Sequence, residues 1–449
     1  MSCAVACALV LLVAQPFGVT PAAAKAAALA VLSIALWSTR VLPEHVTAIG
    51  FFLVAVLFSG AAPEVIFSGF NSAAFWLTFG GLVIGVAINN TGLGQRLAYA
   101  ISAHVGSSYW RTIAGAALIG IVLAVLMPST MGRVVLLIPI VTALADELGF
   151  AKGSRGRTGM VIAAGFSTYM VSAGILPANL PNVILLGLSQ SLYGLPITYG
   201  SYLLLHFPVT GLLKVAIIVA LVLVMFPDRP RPARRRETPA ATTRGEHWLM
   251  LVLSLAIVLW ASDFVHHISP AWVALGAAIF CLLPRPGLVS PQAFNERVNY
   301  GALFFVAAFL GLAAVIAESG LGTEIGTYLA GKIGLAPGAD WWNFVKLSVL
   351  STMICLVTTT AGVPAVLTPM AAKLAAASGL PLMTVLMTQV FGFSTFLLPY
   401  QGAPLLVTLQ LGEIRTRDAA RLCLALAAAT FLIILPLNFL WWRLLGYFG

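Results

Sequence analysis

Acidic side chains are scarce in this chain. Its 449 residues include 14 Asp and Glu against 24 Lys and Arg, and only 8% are charged, about a third of the share in ordinary soluble domains. Histidine is rarer, with 6 residues, and neither an HExxH nor a GxSxG pattern occurs, which removes the zinc-protease and serine-hydrolase signatures. An integral-membrane enzyme would need Asp263, His266 and His267 to meet another ligand in space. Otherwise that stretch is an external loop. The cysteines, Cys3, Cys7, Cys281, Cys355 and Cys423, form no CxxC pair. An odd count in apolar settings argues against both a disulfide framework and a metal site.

What the chain has is apolar surface: 60% of its residues are hydrophobic. That composition predicts an all-α, polytopic membrane protein in the lipid bilayer. The net charge of +10 sits in short loops between apolar spans, so it is read as positive-inside bias, and no nucleic-acid partner is expected.

Residues 110–149 are two apolar arms around the break Pro128-Ser129-Thr130, followed by Met131-Gly132-Arg133. Each arm is short of the roughly 20 apolar residues a spanning helix needs, which predicts a re-entrant hairpin. Irregular backbone at membrane depth is tolerated only when buried in protein or lining a cavity, so the tip is a candidate site. Residues 341–379 repeat the pattern around Thr358-Thr359-Thr360-Ala361-Gly362, and Thr130, Pro139 and Gly149 keep the mutual spacing of Thr360, Pro369 and Gly379. Further matches flank the hairpins: Leu36-Trp37 with Leu259-Trp260, Thr91-Gly92-Leu93-Gly94 with Ser319-Gly320-Leu321-Gly322, and Phe166-Ser167-Thr168 (then Pro177 and Pro181) with Phe393-Ser394-Thr395 (then Pro399 and Pro404). The chain is therefore expected to be duplicated.

The expected organisation is a first transmembrane helix over 1–21, a first repeat over 22–226, an Arg- and Pro-rich cytoplasmic linker over 227–246, and a second repeat over 247–449. A cleaved signal at residues 3–16 is the alternative for the first segment. About eleven spans, threaded with the N-terminus inside, put Arg40, Arg96, Arg111, Arg155, Arg157, Arg285, Arg297 and Arg415 on the cytoplasmic side. Five spans per half make the repeats inverted, each with a hairpin and a broken helix. The first hairpin then enters from the cytoplasm and the second from outside.

Inverted repeats with hairpins and broken helices are a transporter architecture, with the interrupted segments meeting near the midplane. Here those segments are 128–132, 177–182, 358–362 and 399–404. They offer hydroxyls, amides and free backbone N–H groups and no acid, a lining that suits an anion. The candidate substrate contacts are Ser129, Thr130, Arg133, Asn179, Pro181, Asn182, Thr358, Thr359, Thr360, Pro399, Gln401 and Gly402. Against them stands a plainer role, since membrane Ser and Thr often bond a carbonyl one turn back or join helices. A proton relay has poor candidates in Asp146, Glu147, Glu318 and His206. A channel is disfavoured by the lack of paired Asn-Pro-Ala tips.

Leu36-Trp37, Thr39 and Pro43, the glycine-rich span ending TGLG, the hairpin ending VVLLIPIVTALADELG and the segment LPANLPNVI together resemble the divalent anion/sodium symporter family. The likeness covers nearly the whole chain. It implies an elevator-type secondary transporter of the bacterial inner membrane, carrying di- or tricarboxylates or sulfate with sodium, and a homodimer joined through spans near 46–90 and 269–317. It also implies a Ser-Asn-Thr triplet at each tip for substrate and sodium. This chain has Pro128-Ser129-Thr130 and Thr358-Thr359-Thr360 there, so both Asn amides are missing and sodium, if bound, would lie near Ser129, Thr130, Ala178, Thr359 and Thr360. Arg133 stands where relatives carry small residues, and a cation at that depth costs at least about 2.5–3.5 kcal/mol, which marks it as functional. The expectation is that it replaces the sodium charge and pairs with the anion; the alternative is that it points along the hairpin to a carbonyl or to a carboxylate elsewhere in the fold. No other cofactor is expected. Anion exchange, or a permease for another oxyanion such as arsenite, is the other reading.

Overall fold

The computed structural model describes residues 20–103, 108–230 and 242–449. Nearly all of the expected first helix over 1–21 and most of the linker over 227–246 lie outside the described residues. All regular structure among the described residues is helical.

The helices fall into two runs of the same order. The first is α1 (Pro21–Thr39), α2 (Glu44–Ser59), α3 (Ala73–Thr91), α4 (Leu93–Ala103), α5 (Tyr109–Leu126), α6 (Thr130–Glu147), α7 (Arg155–Ser172), α8 (Leu180–Tyr193) and α9 (Tyr199–Met225). The second is α10 (Arg244–Ala261), α11 (Pro270–Leu282), α12 (Tyr300–Glu318), α13 (Leu321–Ile333), α14 (Asp340–Val357), α15 (Gly362–Ser378), α16 (Leu382–Ser394), α17 (Ala403–Leu411) and α18 (Thr416–Leu444). Packing repeats with the order. α5 lies on α7 as α14 lies on α16, α2 crosses to α12 as α11 crosses to α3, and α6 meets α17 as α8 meets α15.

Breaks occur where the polar interruptions predict them. Met127-Pro128-Ser129 separates α5 from α6, and α14 turns by 119° into α15. Ser129 caps α6 by accepting from the Gly132 N–H at 3.2 Å, and Thr359 likewise accepts from Gly362 at 3.2 Å. Each hydroxyl satisfies one of the free N–H groups that a helix start leaves open.

Seven helices are long and apolar enough to cross a membrane, or eight if the bent α14–α15 pair is one span. The expected eleven is not reached by length and composition among the described residues. The difference has physical sources: α2, α11 and α16 are shorter apolar helices, and α7 is rich in Gly, Ser and Thr yet buried throughout 156–172. α10 begins at Arg244, inside the expected linker, with a capping box between Thr243 and Glu246. Glu246 also pairs with Arg96 at 2.8 Å, tying α10 to α4.

Small residues let the two runs approach. A Cβ on Gly80 of α3 would stand 2.7 Å from the Ala274 backbone of α11, the close contact that drives helix association where lipid supplies no hydrophobic force. Trp37 of α1 is fully buried and stacks on Phe309 of α12 with ring centroids 4.2 Å apart.

Candidate functional site

Both hairpin tips and both broken segments line one cavity of about 200 Å³, room for a small anion. Pro128, Ser129, Thr130 and Met131 come from the first tip; Thr359, Thr360 and Ala361 from the second; Pro177, Asn179, Leu180 and Pro181 from the first broken segment; Gln401, Ala403 and Pro404 from the second. Thr78 and Gly81 of α3, Tyr169 of α7, Asn299 at the start of α12, and Arg40 and Glu44 of the α1–α2 turn complete the polar or close-packed wall.

The backbone aims positive charge into this space. The starts of α6 at Ser129, α8 at Asn179, α12 at Asn299, α15 at Ala361 and α17 at Ala403 all reach the lining. Free N–H groups and helix dipoles there favour an anion.

Two buried amides stand at this wall. Gln401 accepts the Leu397 and Leu398 N–H groups at 2.8 Å through Oε1, which fixes its orientation and leaves Nε2 with no oxygen or nitrogen partner and only the Cys355 thiol beside it. Asn179 is 5% exposed, and its Nδ2 also lacks a hydrogen-bond partner. Buried polar groups are normally satisfied; both residues belong to the lining, while the two unpaired nitrogens themselves are closed off from solvent just behind it.

Other candidates stand behind the wall. Arg133 is fully buried and absent from the lining. Its guanidinium donates to the Met127 carbonyl, to Ser172 Oγ, to Thr130 Oγ1 at 3.0 Å and to the Ala178 carbonyl at 3.0 Å. The expected direct pairing with the anion is thus replaced by the alternative, bonds to nearby oxygens, because the tip and the broken segment present carbonyls that need a donor. Asn182 gives its Nδ2 to the Ser172 and Ile175 carbonyls at 2.8 and 2.9 Å, and so stitches the first broken segment. Thr358 returns its hydroxyl to the Ile354 carbonyl at 2.8 Å. Pro399, Gly402 and Ala178 shape the break without lining the cavity; a Cβ on Gly402 would stand 2.5 Å from Tyr169 Cε1.

Of the groups expected near a sodium ion at the first tip, Thr130 and Ala178 are engaged by Arg133 and Ser129 accepts the Gly132 N–H. That donor set does not fit an added cation. At the second tip Thr358 and Thr359 spend their hydroxyls on backbone groups.

The titratable candidates lie elsewhere. His206 packs against Tyr202, Trp442 and Met387, and the Tyr202 hydroxyl is turned to the Ala173 carbonyl. Asp146 pairs with Arg157. Asp263 caps the Tyr199 and Gly200 N–H groups while His266 meets the Leu259 carbonyl, and among the described residues no metal-binding cluster forms. Sequence reasoning missed Arg40, Thr78, Tyr169 and Asn299 as lining residues. Only the paired glycines Gly80 and Gly81, which allow α3 to approach the tip, signalled that wall.

Comparison with known proteins agrees with this geometry. The family model described as "Sodium:sulfate symporter transmembrane region" matches residues 1–448. A membrane protein of Cupriavidus necator is 24% identical over 98% of this chain and 91% of its own. The L-tartrate/succinate antiporter of Escherichia coli K12 is 26% identical over 89% of this chain and 83% of its own. The crystal structure of the Alcanivorax borkumensis YdaH transporter covers 95% of this chain and 99% of its own with a TM-score of 0.63 at 16% identity, which is a likeness of fold. Because the family match spans both hairpins, both broken segments and the cavity they enclose, the chain belongs to the sodium:sulfate symporter family and is a multi-pass anion transporter of the inner membrane, not an enzyme.

Proposed function

We propose that this transporter exchanges small dicarboxylates across the membrane without sodium, carrying them between the two hairpin tips by an elevator-type movement. The observation that carries the proposal is the Arg133 guanidinium, fully buried among oxygens of the tip and the broken segment. Its charge lies one hydroxyl behind the cavity wall, since Thr130 both lines the cavity and accepts from Nη2. A second fully buried cation, Lys214 of α9, donates to the Ser394 carbonyl at 2.8 Å at the end of α16. Neither has a carboxylate partner among the described residues.

Fixed charges have a kinetic consequence. A sodium ion can leave with its substrate, so an empty carrier returns uncharged. Fixed cations cannot leave, and moving them uncompensated through a low-dielectric layer is costly. A dianion between the tips offsets them, so both directions of movement favour a loaded cavity. That is exchange. The likeness to the E. coli L-tartrate/succinate antiporter supports the substrate class.

The test is uptake of labelled succinate and sulfate into proteoliposomes, with internal anion and external cation varied separately. The expected result is succinate uptake that needs internal dicarboxylate and is unchanged when potassium replaces sodium. Uptake that requires sodium and no internal anion overturns the proposal. The elevator reading further assigns the anchored body to α2–α3 and α11–α12. A homodimer would form beside the exposed Leu53, Leu57 and Phe58 of α2, testable by cysteine cross-linking at Leu57.

A further inference from the structure

We propose that Arg40 recognises one carboxylate of a dianionic substrate from the static side of the cavity and stays behind when the substrate is carried. The inference rests on the dicarboxylate and elevator reading above. With Arg133 turned into the wall, Arg40 is the single basic side chain among the lining residues and Glu44 the single acidic one. No ion pair within 4.0 Å joins Arg40 to Glu44 or to any other described carboxylate, so its charge is unspent.

Its position is built. Arg40 ends α1 in the left-handed conformation, φ 51° and ψ 29°, with its N–H on the Leu36 carbonyl at 3.1 Å. Glycine or asparagine normally fills such a cap, and a long side chain held there is a strained choice of the sort found at functional positions. The turn that bears it is anchored to the second run of helices. Trp37 donates from its indole to the Glu44 carbonyl at 3.2 Å while its ring packs on Phe305 and Phe309 of α12. Phe305 itself lines the cavity. Ser38 reaches the Val357 carbonyl at 3.5 Å, which sets the end of α1 beside the second tip. Arg40 is thus fixed at its backbone to α1, α2 and α12, whereas the other polar groups on the cavity come mostly from the tips and broken segments.

This division separates two tasks. The tips, with the helix starts that reach the lining, bind the first carboxylate and travel with it, and the exposed Arg40 guanidinium on the static side meets the second carboxylate in one end state only. Guanidinium matches carboxylate in a planar, two-bond geometry. The charge distribution of the sequence leads us to expect Arg40 on the cytoplasmic side, so its effect should be one-sided.

Arg40→Gly tests this without disturbing the backbone, because glycine adopts the left-handed cap freely. In oriented vesicles, the KM for succinate offered from the cytoplasmic face should rise at least tenfold, the KM from the opposite face should stay within twofold, and inhibition by monomethyl succinate should change less than threefold. Arg40→Lys should recover part of the loss. An unchanged cytoplasmic KM, or equal losses for the mono- and dianion, overturns the proposal. If Arg40→Gly does not yield folded protein by thermal unfolding, Arg40→Asn, which also tolerates that conformation, is read by the same criteria. Wild-type protein that moves no dicarboxylate would instead overturn the proposed function.

Discussion

The Thr130 hydroxyl donates to the Ala178 carbonyl at 2.9 Å, joining the first hairpin tip to the first broken segment across 48 residues. The same oxygen accepts from Arg133 Nη2 at 3.0 Å. One small side chain therefore couples a hairpin tip, a broken helix and a fixed charge. Thr130→Val keeps the shape and removes both bonds. It should lower stability by about 1–3 kcal/mol, the usual cost of stranding buried polar groups, and reduce succinate uptake severalfold. Thr130→Ser should stay near wild type. Thermal unfolding of purified protein together with vesicle uptake checks both.

Arg133 holds four oxygens, and replacing it by alanine leaves them facing an empty space. Hydrogen bonds to charged groups contribute about 1.5–3 kcal/mol each when intact, so Arg133→Ala should be strongly destabilised. The vacated oxygens then resemble a site for a small hard cation. Sodium should raise the unfolding temperature of Arg133→Ala more than potassium does at equal ionic strength, and should make no such distinction in the wild type. Equal responses of the two proteins would count against a cation-like role for this guanidinium.

The breaks were legible because Pro, Gly and hydroxyls at membrane depth contradict a spanning helix, and the two runs were legible because Thr130, Pro139 and Gly149 share a register with Thr360, Pro369 and Gly379. Side-chain direction was not. Thr358 and Thr359 are adjacent and chemically alike, yet one returns its hydroxyl to Ile354 and the other lines the cavity. Asn179 and Asn182 part in the same way, one facing the cavity and the other stitching backbone carbonyls. Only the helix phase after the break decides these. Arg40 and Asn299 were invisible for another reason: they reach the cavity through packing between the two runs, which no local pattern encodes.

Gly81 and Gly85 of α3 look interchangeable in sequence. A Cβ on Gly81 would stand 2.7 Å from Pro128 Cβ at the first tip, whereas one on Gly85 would meet Ser129 Cβ at an ordinary 3.9 Å. Gly81→Ala should therefore push the tip away, costing about 1–3 kcal/mol as overpacking does, and slow transport severalfold. Gly85→Ala should leave both unfolding temperature and uptake within error of the wild type. Similar effects from the two substitutions would mean that α3 and the tip do not keep this close contact during the cycle.

Gln401 allows the polarity of the cavity to be reversed with little change of shape. Its Oε1 takes the Leu397 and Leu398 N–H groups at 2.8 Å, and its Nε2 is the orphaned donor. Glutamate at this position keeps both acceptor bonds and replaces the donor by a second anionic oxygen. Two backbone donors and the nearby start of α17 compensate that charge within the fold, so the unfolding temperature should change little. The new charge, however, stands just behind the cavity lining, where it repels an anion held between the tips. Gln401→Glu should raise the KM for succinate at least tenfold, while Gln401→Ala, which frees the two N–H groups, should lose stability as well. A glutamate variant that transports normally would mean that Gln401 does not stand beside the anion.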